Sequence, residues 1–106
     1  DGIKEVLENL KRYDFKKLHF VLGVVNDKDI SSILKMLPKD ATYYFCKASI
    51  PRALDEKELS VQAKKEGLTG KTYKTVAEAL TVAKKQAKTN DLVFVGGSTF
   101  TVADIL

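Results

Sequence analysis

The chain has 106 residues, of which 44% are hydrophobic and 30% charged, and its 18 lysine and arginine residues outnumber its 14 aspartate and glutamate residues, giving a formal net charge of +4. This length suits one small domain, and the composition excludes a disordered tail and a collagen-like or mucin-like repeat. No apolar run approaches the roughly 20 residues that cross a bilayer, and the positive charge comes almost wholly from lysines interleaved with acids, so we expect neither a membrane nor nucleic acid as a partner.

Helical and extended patterns alternate along the first half of the chain. A first helix is predicted from apolar residues at the spacing that lines one helical stripe, namely Ile3, Val6, Leu7 and Leu10. The nearly continuous apolar run over 18–25 predicts a strand covered on both faces. A second helix, which Asp29 can cap and Pro38 stops, carries the same spacing at Ile30, Ile33, Leu34 and Leu37. The aromatic stretch over 41–46 predicts the second strand.

The next segment predicts a third helix and a short strand. Asp55 can cap the helix, and Glu58, three positions on, can complete a reciprocal arrangement. Gly67 suits the left-handed residue that follows a helix end. Residues 71–73 then form at most a short strand.

The last part of the chain has the clearest helix start in the sequence. Thr75 and Glu78 form a capping box, and the helix that follows carries Val76, Ala79, Leu80, Ala83 and Ala87 on one side. Residues 91–95 predict the last strand. We expect a glycine loop over 96–98 and then another helix over 99–106.

Strands that alternate with helices of about ten residues predict an α/β fold. Right-handed crossovers turn this order into a mainly parallel sheet with helices on both faces, a three-layer, Rossmann-like architecture. No linker divides the chain, so we expect one domain over 1–106. Ligands of such sheets bind at the carboxyl ends of the strands, where we expect three loops to meet: 26–29, 49–52 and 96–99.

Two of these loops offer groups suited to an anion. Gly97 and Ser98 would turn the chain sharply, with free backbone amides and a hydroxyl. A packed turn in which Ser98 or Thr99 caps a helix fits the same residues. Lys28 lies between Asp27 and Asp29, whose carboxylates could fix the direction of its ammonium group. Capping of the helix by Asp29, with Lys28 in solvent, is the alternative.

The other polar candidates have less specific patterns. Arg52 is one of two arginines and follows Pro51, but a surface arginine without function fits equally well. His19 has no Ser, Cys or acidic partner at a telling spacing and is interpreted as structural. Cys46, the single cysteine, is interpreted as a core residue, and its isolation, with no secretory pattern at the amino terminus, predicts the cytoplasm. No nucleophile, base and orienting residue can be assembled, so no catalytic residue or metal ligand is assigned.

Taken in order, three stretches resemble the carboxy-terminal domain of the Mur ligase superfamily, most closely that of bacterial folylpolyglutamate synthase/dihydrofolate synthase. The stretches are Leu22-Gly23-Val24-Val25-Asn26-Asp27-Lys28-Asp29, Ile50-Pro51-Arg52-Ala53 and Val95-Gly96-Gly97-Ser98-Thr99-Phe100-Thr101-Val102-Ala103. The resemblance covers nearly the whole chain. It implies a fragment of a longer enzyme that uses ATP and Mg²⁺ to convert a folate or pteroate carboxylate to an acyl phosphate, which the amine of L-glutamate attacks.

The resemblance also implies partners and roles for the loop residues. Lys28 and Ser98, beside Gly97, would hold the glutamate carboxylates, Arg52 would add positive charge, and Asp27 or Asp29 would orient the lysine. ATP and Mg²⁺ would bind mainly to an amino-terminal ATPase domain that this sequence lacks, so the chain alone is expected to be inactive. The resemblance further implies that the sequence starts, at Asp1-Gly2-Ile3, just after the Asp-Gly-Ala-His-Asn-like loop that touches the nucleotide in the family. The alternative interpretation is a non-catalytic α/β module that binds an anion or a nucleotide.

Overall fold

The computed structural model describes residues 7–8, 10–26, 30–49, 51–97 and 101–105. Within these ranges the strands are β1 (Leu18–Gly23), β2 (Thr42–Cys46), β3 (Gly70–Tyr73), β4 (Leu92–Gly97) and β5 (Thr101–Ile105). The helices are α1 (Ile30–Met36), α2 (Glu56–Lys65) and α3 (Val76–Gln86). The strands form one sheet in the order β3-β2-β1-β4-β5, in which the first four are parallel and β5 is antiparallel to β4.

Each face of the sheet has its own core, because successive strand residues point to opposite sides. One face packs against α1 and α2; its buried strand residues are Leu18, Phe20, Leu22, Tyr43, Phe45, Leu92 and Phe94. The other face packs against α3; its buried strand residues are Val21, Tyr44, Cys46, Val93 and Val95. Burial of each large apolar side chain contributes roughly 1.5–3 kcal/mol. The two cores confirm the predicted three-layer α/β fold.

The helix starts follow the predicted capping residues. The Asp55 carboxylate accepts two backbone N–H groups of the first turn of α2, at 3.0 and 3.3 Å. Thr75 Oγ1 accepts the Glu78 N–H at 3.1 Å at the start of α3. The reciprocal bond predicted from the Glu58 side chain is absent from the described hydrogen bonds. Gly67, beyond the end of α2, has a φ of +85°, as its predicted left-handed role requires.

The first predicted helix is seen in part. Residues 7, 8, 10 and 11 have helical backbone, and Leu10 is buried in the core beside α1 and α2. The other residues of its predicted stripe before Leu7 lie outside the described ranges. Helix α1 ends at Met36, before Pro38, as predicted.

The helix predicted over 99–106 is wrong, because Thr101–Ile105 is strand β5. Three of its five residues are β-branched, and such side chains favour extended backbone. Strand β5 runs antiparallel to β4, with Val102 opposite Val95. An antiparallel neighbour needs no crossover helix, so a short connection is enough to join the two strands.

Candidate functional site

The carboxyl ends of β1, β2 and β4 lie side by side at one edge of the sheet. Strand β1 is central, with β2 on one side and β4 on the other. Leu22 of β1 pairs with Phe45 of β2, and Gly23 pairs with Gly97 of β4. Because these strands are parallel, the segments that follow them begin at the same edge, which we call the carboxyl edge.

Gly96 and Gly97 belong to β4 rather than to the loop that was predicted for them. The parallel pairing with β1 continues through Gly97, so the strand is longer than its apolar run. Gly96 also packs closely: an added Cβ would lie 2.8 Å from the Phe94 ring and 3.4 Å from the Phe20 ring. Gly96 therefore lets the strand continue toward the carboxyl edge where a larger side chain would collide.

The chain after β1 changes its hydrogen-bond partner at this edge. Strand β1 ends at Gly23, two residues earlier than predicted, and Val25 then forms an antiparallel bridge with Ala53. The Asn26 N–H donates to the Arg52 carbonyl at 2.7 Å. The Leu54 N–H donates to the Val24 carbonyl at 2.9 Å. These contacts fix the turn that contains Arg52 against the residues that precede 27–29.

Arg52 adopts an uncommon backbone conformation, with a φ of 64°. For a residue other than glycine the left-handed region costs roughly 1–2 kcal/mol, and the surrounding hydrogen bonds hold Arg52 there. Its side chain is exposed, and Nη2 donates to the Asn26 carbonyl at 3.4 Å. The remaining guanidinium N–H groups have no partner among the described residues and suit an anionic ligand.

The structure describes two of the six predicted site residues and brings them to one edge. Arg52 and Gly97 both lie at the carboxyl edge. The other four predicted site residues, Asp27, Lys28, Asp29 and Ser98, lie outside the described residues. Among the described residues, Asn26 and Gly97 are the last before these two gaps in the chain.

Sequence analysis missed a buried polar network at the opposite end of β1. His19 Nε2 lies 3.0 Å from Asp91 Oδ2, and His19 Nδ1 lies 2.8 Å from Tyr44 Oη. The Tyr44 hydroxyl donates to Gln86 Oε1 at 2.9 Å, and Asp91 Oδ2 also accepts the Lys88 N–H at 2.9 Å. No spacing in the sequence revealed this acidic partner of His19, because the pairing of β1 with β4 brings together residues 72 positions apart. The burial of His19 fits its interpretation as a structural residue.

The titratable groups of the buried region are arranged for stability rather than catalysis. The Lys88 backbone N–H and the His19 side chain hold the pKa of Asp91 below its ordinary value. Burial raises the pKa of Tyr44 to about 12. Burial, and to a smaller extent Glu56, also raises the pKa of Cys46 to about 12, so its thiol stays protonated at neutral pH. Cys46 is fully buried, which confirms its predicted place in the core.

The side chains and helices of the described ranges bear on metal binding and on membrane insertion. Within them, no group of three or more His, Cys, Asp or Glu side chains could hold a metal ion. None of the described helices combines the length and apolar character needed to cross a bilayer.

Comparison with known proteins identifies the family. The model of the family "Mur ligase, glutamate ligase domain" matches residues 1–99. A probable bifunctional folylpolyglutamate synthase/dihydropteroate synthase of Haloferax volcanii is 36% identical over 105 residues, which are 98% of this chain and 12% of that protein. The chain thus spans about an eighth of the length of this curated relative.

Solved structures of bacterial enzymes share the fold. The bifunctional folylpolyglutamate synthase/dihydrofolate synthase of Yersinia pestis, complexed with AMPPNP and Mn ion, is 25% identical with a TM-score of 0.73, covering 91% of this chain and 23% of that one. FolC of E. coli, in complex with DHPP and ADP, is 25% identical with a TM-score of 0.73, covering 88% and 22%. The family model, the relative and these folds confirm the resemblance found in the three stretches. The chain belongs to the Mur ligase, glutamate ligase domain family.

Proposed function

We propose that the chain is the carboxy-terminal, substrate-capping domain of an ATP-dependent folylpolyglutamate synthase that joins L-glutamate to a folate or pteroate carboxylate. The Haloferax relative and the Yersinia structure differ in their second named activity, dihydropteroate synthase in one and dihydrofolate synthase in the other. Folylpolyglutamate synthase is common to both names. This shared activity is therefore the one we assign to the longer protein, in the cytoplasm.

This proposal rests on the groups found at the carboxyl edge in a chain that belongs to a glutamate ligase domain family. The exposed Arg52 and the end of β4 at Gly97 share that edge. Free guanidinium N–H groups and backbone amides suit the carboxylates of glutamate. We assign its two carboxylates to Lys28 and Ser98, with Arg52 as a further source of positive charge and Asp27 or Asp29 orienting the lysine.

In this reaction ATP supplies the phosphoryl group that activates the folate or pteroate carboxylate as an acyl phosphate. The chain's own part is to hold glutamate so that its amine faces the acyl carbon. The C–N bond forms as the C–O bond to phosphate breaks, and the amine loses a proton. Correct positioning of two reactants accelerates such a step greatly, and it needs both walls of the cleft. We assign the binding of Mg²⁺ and ATP mainly to the rest of the longer protein.

The test uses the full-length enzyme with Lys28→Ala, Ser98→Ala and, as a matched control, Lys84→Ala in α3. Loss of a hydrogen bond to a charged group should raise the KM for glutamate about tenfold or more in the first two variants. The control should keep the KM of the parent enzyme. An unchanged KM for glutamate in both site variants would refute the assignment of these residues.

A second measurement separates the capping domain from a module that works alone. The 106-residue chain should form no folylpolyglutamate from ATP, folate and glutamate, because it presents one wall of the cleft. Saturable, submillimolar binding of a nucleotide or phosphate to this chain, without such binding in the full-length enzyme, would instead favour a non-catalytic anion-binding module.

A further inference from the structure

A depression of about 330 Å³ lies along β3 and the amino-terminal half of β2, beside the last turn of α3. It is away from the carboxyl edge, because its lining begins at Thr42 and Thr69, where these strands start. The side chains that matter here are Tyr44, Tyr73, Lys71 and Gln86. We call this feature the tyrosine depression.

Two aromatic rings form walls of the tyrosine depression on the α3 side of the sheet. Lys71 pairs with Tyr44, and Tyr73 pairs with Cys46, so these side chains share the face that packs against α3. The centroids of the Tyr44 and Tyr73 rings are 6.0 Å apart, and the rings are tilted by 31°. Lys71 precedes Tyr73 by two residues and therefore lies on the same side of β3.

The strands approach each other closely at one end of this depression. An added Cβ at Gly70 would collide with the Tyr43 carbonyl, so that position accepts no side chain. Tyr44 is buried and Tyr73 is half-buried, so aromatic side chains line the base of the depression. Lys71 and Gln86 are exposed and form its polar rim.

The rim carries hydrogen-bond donors without a compensating carboxylate. Gln86 Oε1 accepts the Tyr44 hydroxyl at 2.9 Å, which leaves the amide N–H groups of Gln86 for another partner. The Lys71 side chain has no hydrogen bond or ion pair to any residue in the described part of the chain, while its backbone belongs to the ladder between β2 and β3. No aspartate or glutamate is among the described residues that line the depression, and Asp91, below Tyr44, is already paired with His19.

We propose that the tyrosine depression binds a small planar aromatic carboxylate. The half-buried ring of Tyr73 suits a flat apolar body, and the buried Tyr44 closes the base beneath it. The ammonium group of Lys71 and the amide of Gln86 suit a carboxylate, since charge-assisted hydrogen bonds are the strong ones. The volume is at the lower end of the range for ligand sites, about 300–1,000 Å³, and so selects a single-ring compound.

Benzoate titrated into the 106-residue chain, followed by the backbone amide shifts of β3 and α3, tests this site. Typical binding energy per atom gives a ligand of this size a Kd of about 10 mM or tighter, so the shifts of Lys71 and Gln86 should saturate. Benzamide, which lacks the charge, should bind about tenfold more weakly. Cyclohexanecarboxylate, which lacks the flat ring, should bind severalfold more weakly.

Two variants and a matched control complete the experiment. Lys71→Met should raise the Kd for benzoate about tenfold. Gln86→Glu, which adds a carboxylate to the rim, should abolish benzoate binding. Lys74→Met, a neighbouring lysine outside the depression, should leave the Kd unchanged. Absence of saturation at β3, equal affinity in the Lys71→Met variant, or equal binding of inorganic phosphate would each overturn the proposal. None of these outcomes depends on the ligase activity.

Discussion

Polar side chains at the two ends of β1 differ in their burial and in their hydrogen bonding. At the carboxyl edge, Arg52 is exposed, makes one long side-chain hydrogen bond to a described residue and has a strained backbone. At the amino-terminal end, His19 is buried between Asp91 and Tyr44, with both ring nitrogens within hydrogen-bond distance of a partner. Groups with unused donors can bind a ligand, whereas groups with satisfied partners hold elements together. The contrast assigns recognition to the carboxyl edge and stability to the His19 network.

The largest expected effect comes from breaking the buried end. His19→Ala removes two hydrogen bonds, leaves a cavity and strands the Asp91 carboxylate, and should lower the free energy of unfolding by about 3 kcal/mol. Urea unfolding of the 106-residue chain measures this change. Lys17→Ala, an exposed neighbour, should change stability by less than about 0.5 kcal/mol. Equal stability of the two variants would show that the network contributes nothing.

Substitutions of Arg52, at the carboxyl edge, should change glutamate binding more than they change the free energy of unfolding. Arg52→Ala and Arg52→Gly both remove the guanidinium, so each should raise the KM of the full-length enzyme for glutamate by about two- to fivefold, the range for exposed charges. Glycine adopts a positive φ without strain, so the Arg52→Gly variant should be more stable than Arg52→Ala by about 1 kcal/mol. Equal stability of the two variants would mean that the backbone strain has no energetic consequence.

The smallest expected effect is on the free energy of unfolding at acid pH. The pKa of Asp91 is lowered from 3.8 in the folded chain, so its contribution is fully present above the unfolded value and is lost as the pH falls below about 4 through the folded pKa. Asp91→Asn should flatten this part of the curve of unfolding free energy against pH. Asp40→Asn, in a loop, serves as the comparison. A curve of unchanged shape for Asp91→Asn would contradict the role of the Asp91 carboxylate.

Local patterns predicted most of the fold and part of the candidate site. The apolar stripes and caps gave the helices because those signals depend on residues within one turn, as at Asp55 and Thr75. Strand β5 was missed because its pairing with β4 depends on a partner that local periodicity does not include. The His19–Asp91 contact was missed for the same reason, since only the register of β1 and β4 brings the two residues together.

For the loops at the carboxyl edge, the residue types predicted the kind of ligand but not the backbone conformation. The basic, acidic and small residues at the strand ends indicated an anion site, but nothing in the local sequence indicated the left-handed backbone of Arg52. That conformation follows from the antiparallel bridge between Val25 and Ala53, which forms after the parallel strands have ended. Hydrogen bonds between two distant segments therefore decide the shape of the turn.

The Val25–Ala53 bridge has a mechanical consequence for the carboxyl edge. The segment after β1 and the segment after β2 would be independent flaps if each simply left its strand. Because Asn26 is hydrogen-bonded to Arg52, displacement of one segment must carry the other with it or break that bond. A force applied to either turn is thus shared by two strands of the sheet.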